Sequence, residues 1–270
     1  MTTNNKNEVS SGYRVLARKY RPSSFTELVG QDWMVQTLKN SIISGRIAHA
    51  FMLTGVRGVG KTTTARIIAK ALNCVRSDGN GQETADPCGV CEPCKAISED
   101  RHIDVIEMDA ASRTGVDDIR ELIDGVRYRP SGGRFKIYII DEVHMLSKNA
   151  FNALLKTLEE PPEHVKFIFA TTEIRKVPIT VLSRCQRFDL KRITVESLNA
   201  HLQFIAKKEK IKTDTIALQL ISNAADGSVR DGLSLLDQAI SLSDGNLTGT
   251  IVQSMLGLVD RSNIYGLYES

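Results

Sequence analysis

The first two thirds of the chain carry a pattern of apolar and polar positions that predicts helices and strands in alternation. Apolar residues recur at helical spacing in four segments, at 32–44, 62–72, 116–126 and 149–159. Four short, mostly apolar runs predict buried strands, at 50–54, 104–108, 135–140 and 165–170. Strands that alternate with helices form a parallel sheet covered on both faces. The pattern therefore predicts an α/β domain.

Beyond about residue 190 the pattern changes to helices alone. Segments 195–208, 213–224 and 228–242 have helical spacing, and no strand is predicted between them. Gly227 and residues 244–246 are typical of turns. A small helical domain is thus predicted behind the α/β domain, and a further helix is expected to begin at Thr248.

Composition and charge narrow the class of protein. The chain is 41% hydrophobic and 25% charged, as in ordinary globular proteins, and its net charge of +3 does not by itself indicate a nucleic-acid ligand. No run approaches the roughly 20 apolar residues that span a bilayer, so we expect no membrane partner. Residues 1–12 are polar and are expected to be a disordered lead. These features favour a cytoplasmic location.

The most specific motif fits the phosphate-binding pattern G-x-x-x-x-G-K-[ST]. It comprises Gly55, Val56, Arg57, Gly58, Val59, Gly60, Lys61 and Thr62. A strand is predicted before it and a helix after it, which is the setting of a P-loop, whereas a chance match would be an ordinary glycine-rich turn. Backbone N–H groups and a helix N-terminus bind anions. Lys61 would then contact the β- and γ-phosphates of a nucleoside triphosphate, and Thr62 would ligate Mg²⁺.

Two carboxylates, Asp141 and Glu142, follow the apolar strand that ends at residue 140. This pattern is typical of a Walker B element, in which Asp141 would hold Mg²⁺ and Glu142 would orient the attacking water. A second carboxylate favours hydrolysis over phosphoryl transfer to a metabolite. The alternative is that both acids end the strand and face solvent.

Four of the five cysteines cluster within a short segment, at Cys74, Cys88, Cys91 and Cys94. Four thiolates suit a closed, tetrahedral Zn²⁺ site of the structural kind. An iron–sulfur cluster is the competing interpretation, because C-x₂-C-x₂-C also occurs in such sites. A disulfide does not fit the cytosol. Metal ligation would order the polar insert 75–87.

Three further residues are candidates for contacts with a triphosphate. Thr172 follows a predicted strand, so it could contact the γ-phosphate or simply end the strand. Arg184 is either a surface ion-pair residue or an arginine finger. Arg230 lies at the start of a predicted helix, where a cation opposes the helix dipole, and this suggests a functional role. His144 lies just past the Walker B element, and we assign it no catalytic role.

Taken together, several segments resemble the gamma/tau subunits of the bacterial DNA polymerase III clamp loader. They are residues 14–22, 55–62, 141–146, 154–162, 183–185 and 227–238. The resemblance runs over residues 13–259 and implies an AAA+ ATPase. It implies a RecA-like α/β domain at 13–192 with a zinc module at 74–94, a three-helix lid at 193–256, and the start of a truncated collar domain at 257–270.

The resemblance also implies roles for the motif residues. Lys61 and Thr62 would contact the phosphates and Mg²⁺ of ATP, and Asp141 and Glu142 would form Walker B. The four cysteines would bind Zn²⁺, although the gap from Cys74 to Cys88 is longer than we expect for the family. Segment 17–22 would lie near the adenine.

Three residues would take the sensor and finger roles. Thr172 resembles sensor 1, and Arg230 resembles sensor 2, contacting nucleotide in the same subunit. Arg184 resembles the arginine finger that acts on the ATP of the neighbouring subunit. The chain ends where the family's collar domain should begin, so we expect this chain to be monomeric or weakly associated.

The implied function is ATP binding and hydrolysis within the DNA polymerase III holoenzyme, a nucleotidyltransferase complex, to load the sliding clamp onto primed DNA. The implied partners are the delta and delta-prime subunits, further gamma/tau copies, the sliding clamp and primer–template DNA. Residues 112–114 are a candidate DNA contact or a solvated loop.

Two other functions stay open. A non-hydrolysing nucleotide- or zinc-binding scaffold is disfavoured by the intact Lys61, Asp141, Glu142 and Arg184. An AAA+ motor acting on branched DNA is disfavoured by the cysteine module.

Overall fold

The computed structural model of the protein describes residues 13–112 and 115–258. Within them, no helix is both long and apolar enough to cross a lipid bilayer. The first elements are α1 (Leu16–Lys19), α2 (Asp32–Ile43), β1 (Ala50–Thr54), α3 (Lys61–Asn73) and α4 (Glu92–Ser98). They are followed by β2 (Val105–Asp109), α5 (Val116–Val126), β3 (Lys136–Asp141), α6 (Lys148–Glu159), β4 (Val165–Thr171), α7 (Ile179–Leu182) and β5 (Gln186–Asp189).

The five strands β1 to β5 form one parallel sheet in the order β2-β3-β4-β1-β5. Side chains of a strand point alternately to the two faces of its sheet. On β1, Phe51 and Leu53 join a core with α2 and α3, whereas Ala50 and Met52 join a second core with α5 and α6. Helices thus cover both faces, and the predicted α/β fold with a parallel sheet is confirmed.

Strand β5 was not predicted from the sequence. Its four residues read Gln-Arg-Phe-Asp, and only Phe188 is buried. It forms the edge of the sheet beside β1, so its outward positions remain polar. The carboxyl ends of β1, β3, β4 and β5 meet at one edge, which is where open parallel sheets bind ligands.

The second domain contains α8 (Val195–Lys208), β6 (Lys212–Thr213), α9 (Thr215–Ala224), α10 (Val229–Ser241), β7 (Asn246–Leu247) and α11 (Gly249–Met255). Side-chain caps set where the helices begin: Thr194, Asp214 and Ser228 each accept a hydrogen bond from a backbone N–H of the first turn. These caps explain why α9 and α10 begin one or two residues later than the apolar pattern predicts.

The prediction that no strand separates these helices is wrong. Strands β6 and β7, of two residues each, pair in parallel and join the connections before α9 and α11. Only Leu247 among their residues is buried, so their sequence gives no strand signal. The helix expected from Thr248 is present as α11, with Thr248 as its N-cap residue.

The N-terminal residues described pack on the helical domain. Leu16 is buried in the core formed by α8, α9 and α10. The Tyr13 hydroxyl donates to Asp237 at 2.5 Å, and the Tyr20 hydroxyl donates to Glu209. Segment 13–20 therefore lies against the second domain, while the chain continues directly into the α/β domain.

Candidate functional site

The loop between β1 and α3 needs glycine at three positions. Gly55, Gly58 and Gly60 have φ angles of 147°, 76° and 106°, which L-residues with side chains rarely adopt. A Cβ on Gly55 would lie 2.8 Å from the carbonyl oxygen of Leu190. The loop leads into the N-terminus of a helix of thirteen residues. Its backbone N–H groups can therefore bind an anion.

Lys61 is the first residue of α3, and only 5% of it is exposed. Its ammonium group donates to the carbonyl oxygens of Gly55 at 3.0 Å and Val56 at 3.1 Å. Burial lowers the pKa of Lys61, and the nearby carboxylates of Glu142 and Asp141 offset part of that effect. The loop therefore encloses a cation, which favours an anionic ligand.

Thr62 and Asp141 come together from different elements. Thr62 lies in the first turn of α3 and Asp141 is the last residue of β3, and the hydroxyl of Thr62 donates to the carboxylate of Asp141 at 2.5 Å. Hydroxyl and carboxylate oxygens are ligands that Mg²⁺ prefers. These two oxygens form a candidate magnesium site beside the loop.

Glu142 adopts a left-handed backbone conformation, with φ of 46°. Its carboxylate accepts hydrogen bonds from the backbone N–H of Thr172 at 3.2 Å and from the Thr172 hydroxyl at 3.0 Å. The structure therefore joins two predicted site residues that lie at the ends of adjacent strands. The sequence did not reveal this contact, because it depends on the register of β3 against β4.

His144 is a member of this group that the sequence reasoning left without a role. Its side chain is 6% exposed, and Nδ1 lies 3.0 Å from Oγ1 of Thr171. Nδ1 also lies 3.4 Å from Oε2 of Glu142, and Nε2 lies 3.5 Å from Oε1 of Glu173. The available signal was its position two residues after Glu142.

The helical domain contacts the glycine-rich loop directly. The backbone N–H of Arg230 donates to the carbonyl oxygen of Gly58 at 3.4 Å. A Cβ on Gly58 would lie 2.0 Å from the hydroxyl oxygen of Ser228, the N-cap residue of α10. Arg230 therefore lies at the loop, as its prediction as a nucleotide contact requires.

Further positive charge gathers beside α3. The guanidinium of Arg21 donates to the Thr63 hydroxyl at 3.1 Å. Burial, the charge of Arg66 and, more weakly, that of Arg230 lower the pKa of Arg21. Arg66 is itself bonded to Glu107 at 2.7 Å, so among the described residues the excess of positive charge lies with Arg21 and Arg230. Such an excess favours an anionic ligand.

Among the described residues, Arg184 makes no side-chain hydrogen bond to the glycine-rich loop of its own chain. It follows α7, and its guanidinium donates to the Glu159 carboxylate at 2.7 Å and to the Thr180 carbonyl oxygen at 2.7 Å. In the described residues its remaining hydrogen bond goes to the Ser183 hydroxyl. Arg184 therefore forms a surface ion pair with Glu159. This ion pair does not exclude a role as an arginine finger, because the finger would act on a neighbouring subunit.

The four predicted metal ligands converge. The Sγ atoms of Cys74, Cys88, Cys91 and Cys94 all lie within 4.8 Å of one another. A tetrahedral zinc site with Zn–S bonds of about 2.3 Å has sulfur atoms roughly 3.8 Å apart, and Cys74 and Cys91 are separated by 4.0 Å. The spacing of the four sulfur atoms therefore fits a single metal ion bound by four thiolates.

Backbone N–H groups point at two of these sulfur atoms. Arg76 and Cys88 each donate to Cys74, and Cys91 donates to Cys88, all at 3.4 Å. Burial raises the pKa values of Cys74 and Cys94. Burial acts in the same direction on Cys88, but the N–H groups outweigh it and lower its pKa to about 7. A metal ion would be needed to ionise the deeper thiols.

The candidate DNA contact at 112–114 lies mostly outside the described residues, which exclude 113 and 114. Ser112 is exposed, and its backbone N–H donates to the Asp109 carbonyl oxygen at 3.1 Å.

Comparison with known proteins places this geometry in a family. A family model described as "DNA polymerase III, delta subunit" matches residues 30–194, and one described as "DNA polymerase III clamp loader subunit, ATPase lid domain" matches residues 197–245. The tau subunit of DNA polymerase III from Salmonella typhimurium is 53% identical over 96% of this chain and 39% of its own length. The gamma subunit from Buchnera aphidicola subsp. Schizaphis graminum is 48% identical over 94% of this chain and 68% of its own length.

The chain belongs to the gamma/tau family of DNA polymerase III clamp-loader subunits. It spans 39% of the length of the Salmonella typhimurium and Escherichia coli tau subunits. Among solved structures, the RuvB Holliday junction branch migration motor of Thermotoga maritima has a TM-score of 0.64 at 18% identity, over 88% of this chain and 72% of that one. This likeness shows the fold alone. In this gamma/tau chain, the helical domain that touches Gly58 is the ATPase lid.

Proposed function

We propose that this chain is the ATP-binding and ATP-hydrolysing part of a clamp-loader subunit, which uses ATP to load a sliding clamp onto primed DNA. One observation carries the proposal: Lys61, Thr62, Asp141 and Glu142 meet at one edge of the sheet, with the lid against the loop. A scaffold that only binds nucleotide would not need the held carboxylate of Glu142.

The residues of the glycine-rich loop and the adjacent strand ends each have a role in the proposed reaction. The loop from Gly55 to Gly60 and the ammonium of Lys61 bind the β- and γ-phosphates. Thr62 and Asp141 hold Mg²⁺, which would neutralise charge on the phosphate oxygens. Glu142 orients a water molecule and accepts its proton as that water attacks the γ-phosphorus.

Three other residues respond to the nucleotide or complete its site. Thr172, which holds the carboxylate of Glu142, acts as sensor 1 between that carboxylate and the γ-phosphate. Arg230 contacts nucleotide from the lid of the same chain. Arg184 acts on the ATP of a neighbouring subunit; in support, its guanidinium bonds among the described residues go to Glu159, Thr180 and Ser183 and not to its own loop.

The cysteine cluster is proposed to hold one structural Zn²⁺. Four thiolates leave no open coordination position, so the ion would take no part in hydrolysis. Its role would be to order the polar segment 75–87, of which only Thr84 is buried.

The proposed partners are the delta and delta-prime subunits, further gamma/tau copies, the sliding clamp and primer–template DNA, in the cytoplasm where the chromosome is replicated. ATP bound between subunits would favour the state that opens the clamp and binds DNA. Hydrolysis would release the clamp closed around DNA, because coupled ligands change each other's affinity by equal factors.

The test is steady-state ATPase activity of the full-length protein in its complex, with and without clamp and primed DNA. Wild type should hydrolyse ATP faster when both are present. Glu142→Gln should retain ATP binding and lose turnover by about 100-fold or more, because a positioned general base contributes about that much. Glu160→Gln, an exposed neighbour of α6, is the matched control and should match wild type. Binding without hydrolysis in wild type would favour the scaffold, and unchanged turnover in Glu142→Gln would remove that residue's role.

A further inference from the structure

His144 lies where the carboxyl ends of β3 and β4 meet. It comes three residues after the end of β3 and packs against Thr171, the last residue of β4. Its side chain is 6% exposed, so the imidazole is enclosed by protein rather than solvated. An enclosed polar ring needs polar partners, since an unpaired buried polar group is costly.

The partners of this ring come from both strand ends. Nδ1 lies 3.0 Å from the Thr171 hydroxyl oxygen, and that oxygen also accepts the backbone N–H of Glu173 at 3.0 Å. The hydrogen bond to Thr171 therefore fixes the ring to the segment that follows β4. The carboxylate of Glu142, from the other strand, lies 3.4 Å from the same Nδ1.

Two carboxylates flank the ring. Nε2 lies 3.5 Å from Glu173, whose carboxylate is bonded to Lys176 at 2.8 Å. The pKa of Glu173 is lowered, mainly by its hydrogen bond to Lys176 and to a smaller extent by the charge of His144. The imidazole thus lies between the carboxylates of Glu142 and Glu173, with Nδ1 facing the first and Nε2 facing the second.

We propose that His144 is a positioning residue for Glu142, which fixes the direction of its carboxylate toward the water that attacks ATP. Thr172, which follows β4, holds this carboxylate through one N–H and one hydroxyl group, and Nδ1 of His144, which follows β3 as Glu142 does, lies 3.4 Å from its Oε2. His144 itself contacts neither nucleotide nor water in this role. The inference rests on the proposed ATP hydrolysis and adds a residue to that site.

The test compares His144→Gln and His144→Phe in the full-length protein assembled with its partner subunits. Phenylalanine fills the space without a polar atom, whereas the glutamine amide can still bond to Thr171. We expect kcat to fall about 10- to 100-fold for His144→Phe and less for His144→Gln, because small misplacements of a catalytic group have effects of this size. KM for ATP and the affinity for ADP should stay within about twofold, because a positioning role leaves nucleotide binding unchanged.

A matched control is His164→Gln. His164 lies just before β4, at the opposite end of that strand, and its Nε2 contacts the Val126 carbonyl oxygen at 3.3 Å. It should leave kcat unchanged. If His144→Phe does not fold, as judged by its thermal unfolding, His144→Gln carries the same comparison.

A double-variant cycle separates positioning from a structural effect. In a Glu142→Gln background, adding His144→Gln should cause no further loss of kcat, since the group to be positioned is gone. Three results would overturn the inference while leaving ATP hydrolysis in place. The first is a further loss of kcat by the same factor in the double variant. The others are an ADP affinity that falls as much as kcat, and wild-type kcat in both His144→Gln and His144→Phe. An inactive wild-type complex would instead remove the proposed function, and the inference with it.

Discussion

Glu142 has a backbone conformation that few residues other than glycine adopt. Its φ of 46° turns the chain sharply after β3, and its carboxylate meets Thr172 beyond the neighbouring strand. Such conformations cost free energy and cluster at functional sites. The motif predicted the identity of Glu142 from its place after an apolar strand. Its contact with Thr172 could not be predicted, because it depends on the pairing of β3 with β4. His144 lies only two residues further along the same segment, but nothing in the motif indicated its contact.

Arg184 gives a prediction at the same scale. In the assembled complex, Arg184→Ala should slow hydrolysis at the neighbouring subunit's site by about 10³-fold or more, the contribution of an arginine finger. Mixed complexes that carry the variant in one position, scored by ATP turnover, locate the defect.

The matched control for Arg184 is Arg187→Ala. Arg187 is an exposed residue of β5, and its guanidinium is paired with Asp189 at 2.7 Å. It should leave turnover unchanged. A defect confined to the subunit that carries Arg184→Ala would contradict action in trans.

At the scale of elements, the strongly apolar strands and the periodic helices were predicted to within one or two residues of their bounds. Strand β5 and the pair β6–β7 were missed, because each contributes only one buried residue. Helix α4 was missed because it is seven residues long and begins between two cysteines of the cluster. Elements stabilised by edge pairing or by thiol clustering leave little periodicity in the sequence.

The cysteine cluster gives a prediction about metal content. Elemental analysis should find about one zinc per chain, as four thiolates bind one ion. Cys94→Ser should lose the metal and lower the melting temperature, because Cys94 is fully buried at the cluster. Cys185→Ser, which alters the cysteine outside the cluster, should keep the metal. Iron in place of zinc, or no metal in wild type, would contradict the proposal.

Asp104 gives a prediction about pH and stability. Its carboxylate is buried and accepts backbone N–H groups from Ser131 at 2.9 Å, Gly132 at 2.6 Å and Gly133 at 2.7 Å. Burial by itself would raise the pKa of Asp104, but these bonds outweigh it and lower the pKa below its ordinary value of 3.8. The carboxylate therefore stabilises the fold above that pH, and its contribution is lost as the pH falls through the folded-state pKa.

Asp104→Asn should accordingly lower the free energy of unfolding at neutral pH by roughly 1–3 kcal/mol, the usual cost of unsatisfied buried hydrogen bonds. The difference from wild type should narrow as the pH falls below about 4. Urea unfolding at both pH values measures it, with the exposed Asp124→Asn as control. A difference that stays constant with pH would show that the charge is not responsible.

At the scale of the whole molecule, the lid contacts the phosphate loop of the α/β domain at Gly58. The apolar pattern predicted two domains, yet it gave no sign that Ser228 and Gly58 would touch, since this contact depends on how the domains are arranged. The lid also receives segment 13–20, which precedes the α/β domain in the chain. A nucleotide at the loop would therefore contact a surface built from both domains.

Gly58→Ala tests this arrangement. A Cβ would lie 2.0 Å from Ser228 Oγ, 3.2 Å from Ser228 Cβ and 3.3 Å from Arg230 Cβ, so either the Ser228 hydroxyl leaves its N-cap hydrogen bond or the lid shifts from the loop. We expect nucleotide affinity, measured by calorimetry, to fall about tenfold or more, equivalent to about 1.4 kcal/mol. Gly45→Ala is the control, because Gly45 has a similar φ of 67° but no atom within 4 Å of the added Cβ. Equal affinity in the Gly58→Ala variant and wild type would show that the lid position does not affect binding.

Helix α3 is held in place at both of its ends. One end begins at Lys61 in the phosphate loop, and the other is followed at once by Cys74 of the thiol cluster. Arg134 stabilises the C-terminal end of α3, since its guanidinium donates to the carbonyl oxygens of Leu72 and Gly81. At 1.5 Å per residue, the thirteen residues of α3 place the phosphate loop and the cysteine cluster roughly 20 Å apart along the helix. Because this single helix joins the two sites, a displacement of the cysteine cluster would act on the phosphate loop through α3.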